Sequence, residues 1–431
     1  STYQSIESDS PTESYTSDDF FGLLDANEGG DITGDGQLLD IGIGRLTAGS
    51  ESDAWDMVNK IKNYKKPVPD PTCVQINSNG SWRNIITFIA DDEDSNIHEG
   101  SSDGLADLTR TQHPEFNYEK IYMDAYKQTA TPAGDRYPDV NTAILNRINS
   151  GCLIMNWVGH GGETNWAHER IFNMADIIPL ANKEKLPMFV TATCDFSRFD
   201  LPDRTAGEWL VVNGKGGGIA SLTTVRLVYS SGNAVLNDAA FKYLFDPYEG
   251  RYPRLGEIIQ LTKNATVGQG SNTRKFTLLG DPALTLNYPQ YDVATTAVNN
   301  NPVLSGDTLK ALQEVTIKGE VRDDNGNKMT SFNGVVYPTV YDKISTLKTL
   351  KNDAGSAIVP FSMYKNILFK GKASVTNGDF SFSFIVPKDI DYQYGKGRIS
   401  YYADNGNYTD ANGYTNDVVI GGSADSFRLD N

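Results

Sequence analysis

Cysteine and histidine are scarce in this sequence, and long apolar runs are missing. Three of the 431 residues are cysteine and four are histidine, and no Cys-x-x-Cys pair occurs. The odd number of scattered cysteines predicts no disulfide framework, so we interpret Cys73 and Cys152 as structural, and a closed zinc site is not expected. No apolar stretch reaches the roughly 18 residues of a membrane-spanning helix, and no signal-peptide segment is recognisable. The polar start at Ser1, without an initiator methionine, is typical of a fragment or a mature product.

Positive charge is the minority sign. The chain carries 38 Lys and Arg against 55 Asp and Glu, a net charge of −17, which argues against nucleic acid or an anionic membrane surface as a partner. Hydrophobic residues make up 39% of the sequence, which is enough to bury substantial cores. Because 431 residues exceed the size of one ordinary core, we expect two or three domains.

Two short apolar runs each end in a side chain with reactive chemistry. Leu153–Val158 leads into Gly159-His160-Gly161-Gly162, and Met188–Thr193 leads into Cys194. Such runs are typical of buried strands, and the glycines allow a sharp turn and a close backbone approach. The carboxyl ends of parallel strands meet at one edge of a sheet, so His160 and Cys194 can form an activated thiol nucleophile. The alternative is an ordinary buried cysteine and a satisfied polar histidine.

Strand and helix patterns alternate from Ile85 to Leu284. Alternation at these lengths predicts βαβ units and a mostly parallel sheet with helices on both faces. Beyond this point, short runs of alternating polarity such as Phe380–Val386, separated by turn signals, replace the helical pattern. We therefore predict an all-β domain over residues 291–431, a sandwich, and Asn299–Pro302 is typical of an interdomain linker.

Two acidic stretches are candidates for cation binding. Asp25–Gly36 is rich in acid and glycine but lacks the full spacing of an EF-hand loop, so a solvated loop and a structural calcium site are both open. Asp91–Asp94 follows a predicted strand, and the same two interpretations apply to it.

Several segments resemble one family of peptidases, the gingipain-type cysteine peptidases, which are relatives of the caspases by fold. The family's motifs are matched by Gly159–Thr164 with Trp166, by the strand ending at Cys194, and by Gly280–Leu284. Further segments resemble the branch that acts as signal peptidase and sortase of the type IX secretion system of Bacteroidetes: Asp18–Leu24, Leu39–Arg45, Trp82–Asn84 and Val315–Gly334. The resemblance extends from Asp18 to the end of the chain.

This resemblance implies a domain organisation. The fold would be α/β and caspase-like, followed by an all-β immunoglobulin-like sandwich. Residues 1–65 would be the tail of a first peptidase subdomain, residues 66–290 the catalytic subdomain, and residues 291–431 the sandwich.

The resemblance also implies roles for individual residues. Cys194 would be the nucleophile and His160 the group that moves its proton, while the backbone N–H groups of Cys194 and Gly161 would form the oxyanion hole. In this family an acidic residue orients the histidine. Alignment places it at Glu93, with Asp92 as a close competitor.

The substrate-binding positions implied are Asp103, Trp166 and Tyr229. Relatives that select Arg or Lys have an Asp in the pocket for the residue before the cut, and Asp103 is its loose counterpart, one residue out of register. Tyr229 falls at an aromatic wall of that pocket and Trp166 belongs to the histidine block, although loop or core roles are open for them. Without an aligned Asp, and with Val225, Leu227, Val228 and Tyr229 beside Arg226 on the pocket segment, we expect an apolar or small residue before the cut.

The function implied is that of a cysteine peptidase and sortase. It would remove the C-terminal β-sandwich signal of type IX secreted proteins through a Cys thioester and transfer the product to an amine of a surface glycolipid. No cofactor would be required, the location would be the extracellular face of the outer membrane, and other outer-membrane secretion components would be partners. The alternatives are a plain secreted endopeptidase and a catalytically idle docking protein.

Overall fold

The larger part of the chain is built on a six-stranded sheet. The computed structural model describes residues 3–4, 12, 14–29, 36–65, 79–303, 308–407 and 409–424. The strands of the sheet are β1 Ile85–Ala90, β2 Asn117–Tyr122, β3 Ile154–Val158, β4 Met188–Ala192, β5 Ala220–Thr224 and β6 Phe276–Leu279. Their spatial order is β2-β1-β3-β4-β5-β6, and all neighbours are parallel except β5 and β6.

Helices cover both faces of this sheet, as the sequence predicts. The α-helices are α1 Glu51–Lys65, α2 Ile97–Gln112, α3 Pro138–Ser150, α4 Met174–Ile177, α5 Ala206–Val212, α6 Ser230–Phe245, α7 Leu255–Ala265 and α8 Ser271–Lys275. Successive strand residues point to opposite faces. Phe88 therefore joins a core with residues of α2, α6 and α7, while Ile89 joins a second core with residues of α3, α4 and α5. Among the described residues, no helix has the length and apolar character needed to cross a membrane.

Short elements complete this part of the chain. The 3-10 helices are Asp19–Gly22, Ser81–Asn84, Asp94–Asn96, Met123–Ala125 and Val267–Gln269. The short antiparallel strands are Tyr3–Gln4 with Thr16–Ser17, Thr129–Thr131 with Gly134–Arg136, and Gly161–Gly162, Asn165–Trp166 and Phe172–Asn173 in one small sheet.

The N-terminal segment packs on the sheet domain through buried charge. Asp19 lies between Lys263 and Arg274, with an Nζ to Oδ1 distance of 2.5 Å to the lysine, and all three side chains are buried. Asp18 pairs with Arg45. A buried carboxylate needs such partners, which explains the acid pair at the start of the Asp18–Leu24 motif. Residues 30–35 of the acidic loop, Cys73 and the prolines near it lie outside the described residues.

The C-terminal part is all β, as predicted. Its strands are β7 Tyr291–Val298, β8 Thr308–Ala311, β9 Glu314–Arg322, β10 Gly334–Tyr341, β11 Ser345–Lys348, β12 Pro360–Met363, β13 Ile367–Lys370, β14 Ala373–Thr376, β15 Asp379–Ile385, β16 Arg398–Asp404, β17 Asp410–Thr415 and β18 Val419–Ser423, with two-residue strands Asn301–Pro302 and Gly395–Lys396. In β15 Phe380, Phe382 and Phe384 alternate with exposed residues and fill the core.

The main sheet of this part closes on itself. The predicted immunoglobulin-like sandwich is not confirmed. Strands pair in the order β7-β9-β15-β14-β10-β16-β17, and β17 returns to pair with β7 in parallel. Closure leaves no open edge in this ring. Alternating polarity alone cannot distinguish a closed sheet from two facing sheets, because both bury one side of each strand.

The two parts share a close interface, and the predicted linker is misplaced. Asn299–Pro302 lies in the hairpin after β7, so the chain has already entered the β-domain there. Across the interface, buried Arg83 donates to Asp410 with an Nη1 to Oδ2 distance of 2.8 Å. Phe361 of β12 joins the core of the sheet domain, 4.9 Å from the Tyr122 ring centroid.

Candidate active site

His160 and Cys194 lie at the carboxyl ends of neighbouring strands, as the sequence predicts. β1, β3 and β4 are adjacent, and their last residues Ala90, Val158 and Ala192 are in register. The chain then continues into Asp91, Gly159 and Thr193. A Cβ at Gly159 would lie 2.4 Å from the Asp91 Cβ, so the close approach of these two strand ends requires glycine.

The His160 segment is fixed by the acids that follow β1. The backbone N–H of His160 donates to the buried Asp91 carboxylate at 2.7 Å. Its ring Nε2 lies 3.1 Å from Asp94 Oδ2 and 3.6 Å from Glu93 Oε2. The first distance is that of a hydrogen bond, while the second is too long for one.

The acid that sequence alignment selected is therefore near the histidine, but another acid is nearer. Glu93 accepts a hydrogen bond from His168 Nδ1 at 2.8 Å. The competitor Asp92 is fully buried and accepts from the Tyr137 hydroxyl, so the structure does not bring it to His160. Asp94, which the sequence reasoning did not select, makes the ring contact. The role of Glu93 in orienting the ring during catalysis stays a prediction.

Three consecutive left-handed residues form the turn that presents Asp94. Asp94, Ser95 and Asn96 have φ angles of 55°, 60° and 65°, a conformation that Asp and Asn tolerate better than most residues. The Asn96 side chain accepts from the Ala357 N–H at 2.6 Å and donates to Glu99 at 2.7 Å. Asp-x-Asn after a strand end was the available sequence signal for such a turn.

A segment of the β-domain holds this turn. We call residues 349–359, between β11 and β12, the strap. The Asp124 carboxylate accepts the backbone N–H groups of Lys351 and Asn352 at 3.0 and 2.7 Å. Ser356 donates its hydroxyl to the carbonyl of Asp92 at 3.1 Å. The β-domain thus contributes directly to the position of the acids beside His160, which no motif in the sequence indicates.

The Cys194 thiol is half-buried next to the start of α6. Its Sγ accepts from the Val228 N–H at 3.5 Å. Burial raises the pKa of the Cys194 thiol, and the neighbouring Asp195 adds to this rise. Among the described residues no hydrogen bond joins His160 to Cys194, so the thiol is neutral at rest and needs a base. Catalytic hydrogen bonds of this kind commonly form only when substrate is bound.

The predicted oxyanion-hole donors, Gly161 and Cys194, lie on adjoining segments. The Cys194 N–H has no acceptor among the described residues, and Gly161 packs against Thr193, where an added Cβ would lie 2.5 Å from the Thr193 Oγ1. Two N–H groups at this place would stabilise negative charge on a substrate carbonyl oxygen. Their catalytic role stays a prediction.

Two of the three predicted substrate-binding residues are occupied elsewhere. Asp103 pairs with Lys120, with an Nζ to Oδ1 distance of 2.6 Å, so its charge is already balanced. Trp166 is 0% exposed and stacks on Trp157 at 5.3 Å, which makes it a core residue. Its position in the histidine block reflects packing beneath the site. Tyr229 is 62% exposed directly after Val228, and it remains a candidate for substrate contact.

The raised carboxyl pKa of Asp195, the residue after Cys194, predicts a pH-dependent effect on stability. Burial raises the pKa of its carboxyl to about 6, and its Oδ1 has no hydrogen-bond partner among the residues that the structure describes. A raised carboxyl pKa contributes stability at low pH that is lost as the pH rises through about 6. Asp195→Asn is therefore expected to raise the unfolding temperature at pH 8 and to leave it unchanged at pH 4.

The same substitution removes a negative charge beside the thiol. We expect alkylation of Cys194 at pH 7.5 to accelerate by roughly threefold, less than the tenfold of a full pKa unit. Thermal unfolding and iodoacetamide kinetics measure the two effects. An equal stability change at both pH values, or slower alkylation, would contradict the assignment.

Two groups of side chains have the spacing of metal ligands. Asp94, His98 and His160 form one, and the buried acids Asp91, Asp92 and Glu169 form the other. Carboxylate oxygens alone suit calcium, whereas imidazole suits zinc and other transition metals. Calcium, at this second group or at the partly described acidic loop, stays a prediction.

The arrangement is suited to acyl transfer from a peptide. His160 can accept the thiol proton, and the Cys194 thiolate can then attack a carbonyl carbon whose oxygen receives the two N–H groups. The imidazolium returns the proton to the leaving amine, which leaves a thioester on Cys194.

Comparison with known proteins agrees with this chemistry. The family model described as Peptidase family C25 matches residues 1–287. Gingipain R2 and gingipain R1 of Porphyromonas gingivalis are each 23% identical over 167 residues, 38% of this chain. The chain spans a fifth or less of the length of these curated relatives, since the matches cover 20% and 15% of them.

A solved gingipain structure shows the same fold. The Arg-specific cysteine proteinase gingipain R matches over 94% of this chain and 79% of its own, with a TM-score of 0.53 and 17% identity. Latent dimeric PorU of P. gingivalis matches over 100% of this chain and 34% of its own, with a TM-score of 0.35 and 23% identity. With a C25 family match over residues 1–287, well over half of its length, this chain belongs to peptidase family C25.

Proposed function

We propose that this peptidase is a signal peptidase and sortase of type IX secretion. It cuts the C-terminal β-sandwich signal from secreted proteins and passes the acyl group from Cys194 to an amine of a surface glycolipid. The segments Asp18–Leu24 and Leu39–Arg45 support this choice, because they resemble that branch of the family. Residues of these segments form ion pairs, Asp18 with Arg45 and Asp19 with Lys263, which stabilise the packing of the N-terminal segment on the sheet domain.

The observation that carries the catalytic part is the placement of one thiol and one imidazole at adjacent strand ends. A thioester on Cys194 can be resolved by water or by an amine, since both attack the same carbonyl carbon. The residues therefore support the acyl-enzyme, and the choice of acceptor is the proposed step. A plain secreted endopeptidase is the alternative, in which water is the acceptor.

The proposal includes the setting of the reaction. The enzyme acts on the extracellular face of the outer membrane, with other secretion components as partners, and requires no cofactor for the thiol chemistry. An idle docking protein is disfavoured because His160 and Cys194 are both present at the strand ends.

A paired assay separates transfer from hydrolysis. A protein carrying the C-terminal signal is incubated with the enzyme, with and without a primary amine, and the products are weighed by mass spectrometry. Transfer predicts an amine-linked product whose share rises with amine concentration. An exclusively hydrolysed product at saturating amine would leave the endopeptidase.

The expected cleavage specificity follows from the ion pairs of two predicted pocket residues, Asp103 and Arg226. Asp103 is paired with Lys120, and Arg226 is buried against Asp200 with Nη1 to Oδ1 at 2.8 Å. No free carboxylate among these residues can balance a buried ammonium or guanidinium, which costs several kcal/mol to bury unpaired. We therefore expect peptides with an apolar or small residue before the cut to exceed Arg or Lys peptides in kcat/KM by about tenfold or more.

A peptide panel that varies only this position measures the preference, with Asp103→Asn as the matched variant. The variant is expected to keep the same ranking. A preference for Arg or Lys that disappears in Asp103→Asn would show that Asp103 leaves Lys120 to bind substrate.

A further inference from the structure

Three of the four histidines of the sequence converge just beyond the carboxyl end of β3. The ring centroids of His98 and His160 are 5.2 Å apart in an edge-on arrangement, and those of His160 and His168 are 5.2 Å apart and stacked. They come from different elements: His98 from the first turn of α2, His160 from the end of β3, and His168 from the loop beyond it. The thiol chemistry uses only one of them.

Two of these rings share one carboxylate. Asp94 Oδ2 lies 3.1 Å from His160 Nε2 and 3.3 Å from His98 Nε2, and the three ligand atoms all lie within 4.8 Å of one another. In a tetrahedral zinc site, bonds of roughly 2.0–2.1 Å place neighbouring donors about 3.3 Å apart. The two separations from Asp94 therefore match those of a metal site, and the third, between the two imidazoles, is within 4.8 Å.

The donors are also held in place on two sides. His98 lies in the first turn of α2, and Asp94 precedes this helix in the left-handed turn Asp94–Asn96, which is fixed by Asn96 and the strap. His98 is buried, whereas the Asp94 side chain is 56% exposed, so a metal ion can enter from solvent. His168 is not in the ligand set, because its Nδ1 binds Glu93.

We propose that Asp94, His98 and His160 bind a divalent transition-metal ion of the zinc type, with solvent in the fourth position. A neutral imidazole has one nitrogen with a lone pair and one that carries hydrogen. If the metal takes the lone pair of His160 Nε2, the proton resides on Nδ1 and the ring cannot accept the thiol proton. Bound metal thus inhibits the peptidase reversibly. This consequence rests on the proposed catalytic role of His160, whereas the binding itself does not.

Calorimetric titration of the whole chain with Zn²⁺ tests the site without any substrate. We expect one ion per chain, removed by EDTA, with affinity weakened by at least about tenfold in His98→Gln, which loses one of three protein ligands. His168→Gln is the matched control and is expected to bind as the unmodified chain does. Co²⁺ in place of zinc should give the visible absorption of a four-coordinate ion, which His98→Gln should lose.

Inhibition is measured separately on a peptide substrate. Zn²⁺ should inhibit the unmodified chain and His168→Gln alike, and inhibition of His98→Gln should require at least about tenfold more zinc. Undiminished binding in His98→Gln, or equal loss in His168→Gln, would overturn the proposal. If His98→Gln folds poorly, Asp94→Asn tests the same ligand set from an exposed position. Zinc binding without inhibition would retain the metal site and count against His160 as the base.

Discussion

Cys194→Ala is expected to abolish peptide cleavage while leaving the fold intact. The thiol is the atom that forms the acyl-enzyme, and removal of a nucleophile commonly costs about 10⁴-fold or more in kcat. Among the described residues the thiol hydrogen-bonds to the Val228 backbone, and Ala removes a single sulfur atom, so we expect its loss to disturb little packing. Turnover of a signal-bearing substrate and the unfolding temperature together check this result.

Cys152 supplies the matched control. It is fully buried just before the amino end of β3, whereas His160 follows the carboxyl end. Burial raises the pKa of the Cys152 thiol to about 12. Cys152→Ala should therefore keep activity, and alkylation in the native protein should favour Cys194. Equal alkylation of Cys194, Cys152 and Cys73, or activity retained in Cys194→Ala, would show that the nucleophile is elsewhere.

His160→Ala is expected to reduce kcat by about 10³-fold, within the usual range for a general acid–base group. Because burial raises the pKa of the Cys194 thiol, the thiol depends on a nearby base to ionise at neutral pH. The substitution should therefore also slow the alkylation of Cys194. Steady-state kinetics and iodoacetamide labelling between pH 6 and 9 measure both effects.

The matched control for His160 is its neighbour His168. It stacks on His160 and its side chain is 70% exposed, while Glu93 raises its pKa through a hydrogen bond to Nδ1. Its position beyond the glycine turn leaves it farther along the chain from the strand end, so His168→Ala should retain most activity. Activity that survived in His160→Ala but was lost in His168→Ala would exchange the two roles.

The strand framework could be predicted because its signals are local. Apolar runs at Leu153–Val158 and Met188–Thr193 are buried on both faces, and parallel strands place their carboxyl ends together. The sequence predicts a close backbone approach at the glycines beside His160, and Gly159 makes such an approach to Asp91. The strand-end positions of His160 and Cys194 and the mostly parallel sheet thus follow from short segments, while the catalytic roles of the two side chains stay predictions.

The rest depends on contacts between distant segments. Asp94 reaches His160 only because the turn at Asp94–Asn96 is left-handed and is held by Ala357 of the strap. The convergence of His98 with His160, which yields a candidate transition-metal site where the sequence suggested only calcium at Asp91–Asp94, arises in the same way. Trp166 was assigned to substrate from its motif, but stacking on Trp157 places it in the core. No local pattern records these pairings.

The central claim, that Cys194 carries the acyl group, is tested most directly by acid quenching of a reaction with a signal-bearing substrate. Tryptic digestion and tandem mass spectrometry then locate the thioester. The account predicts the acyl product on the peptide that contains Cys194, at a level that builds up before steady state and falls when an amine is added. An adduct on another residue, or cleavage with no adduct in a chain whose Cys194 is replaced by Ala, would contradict it.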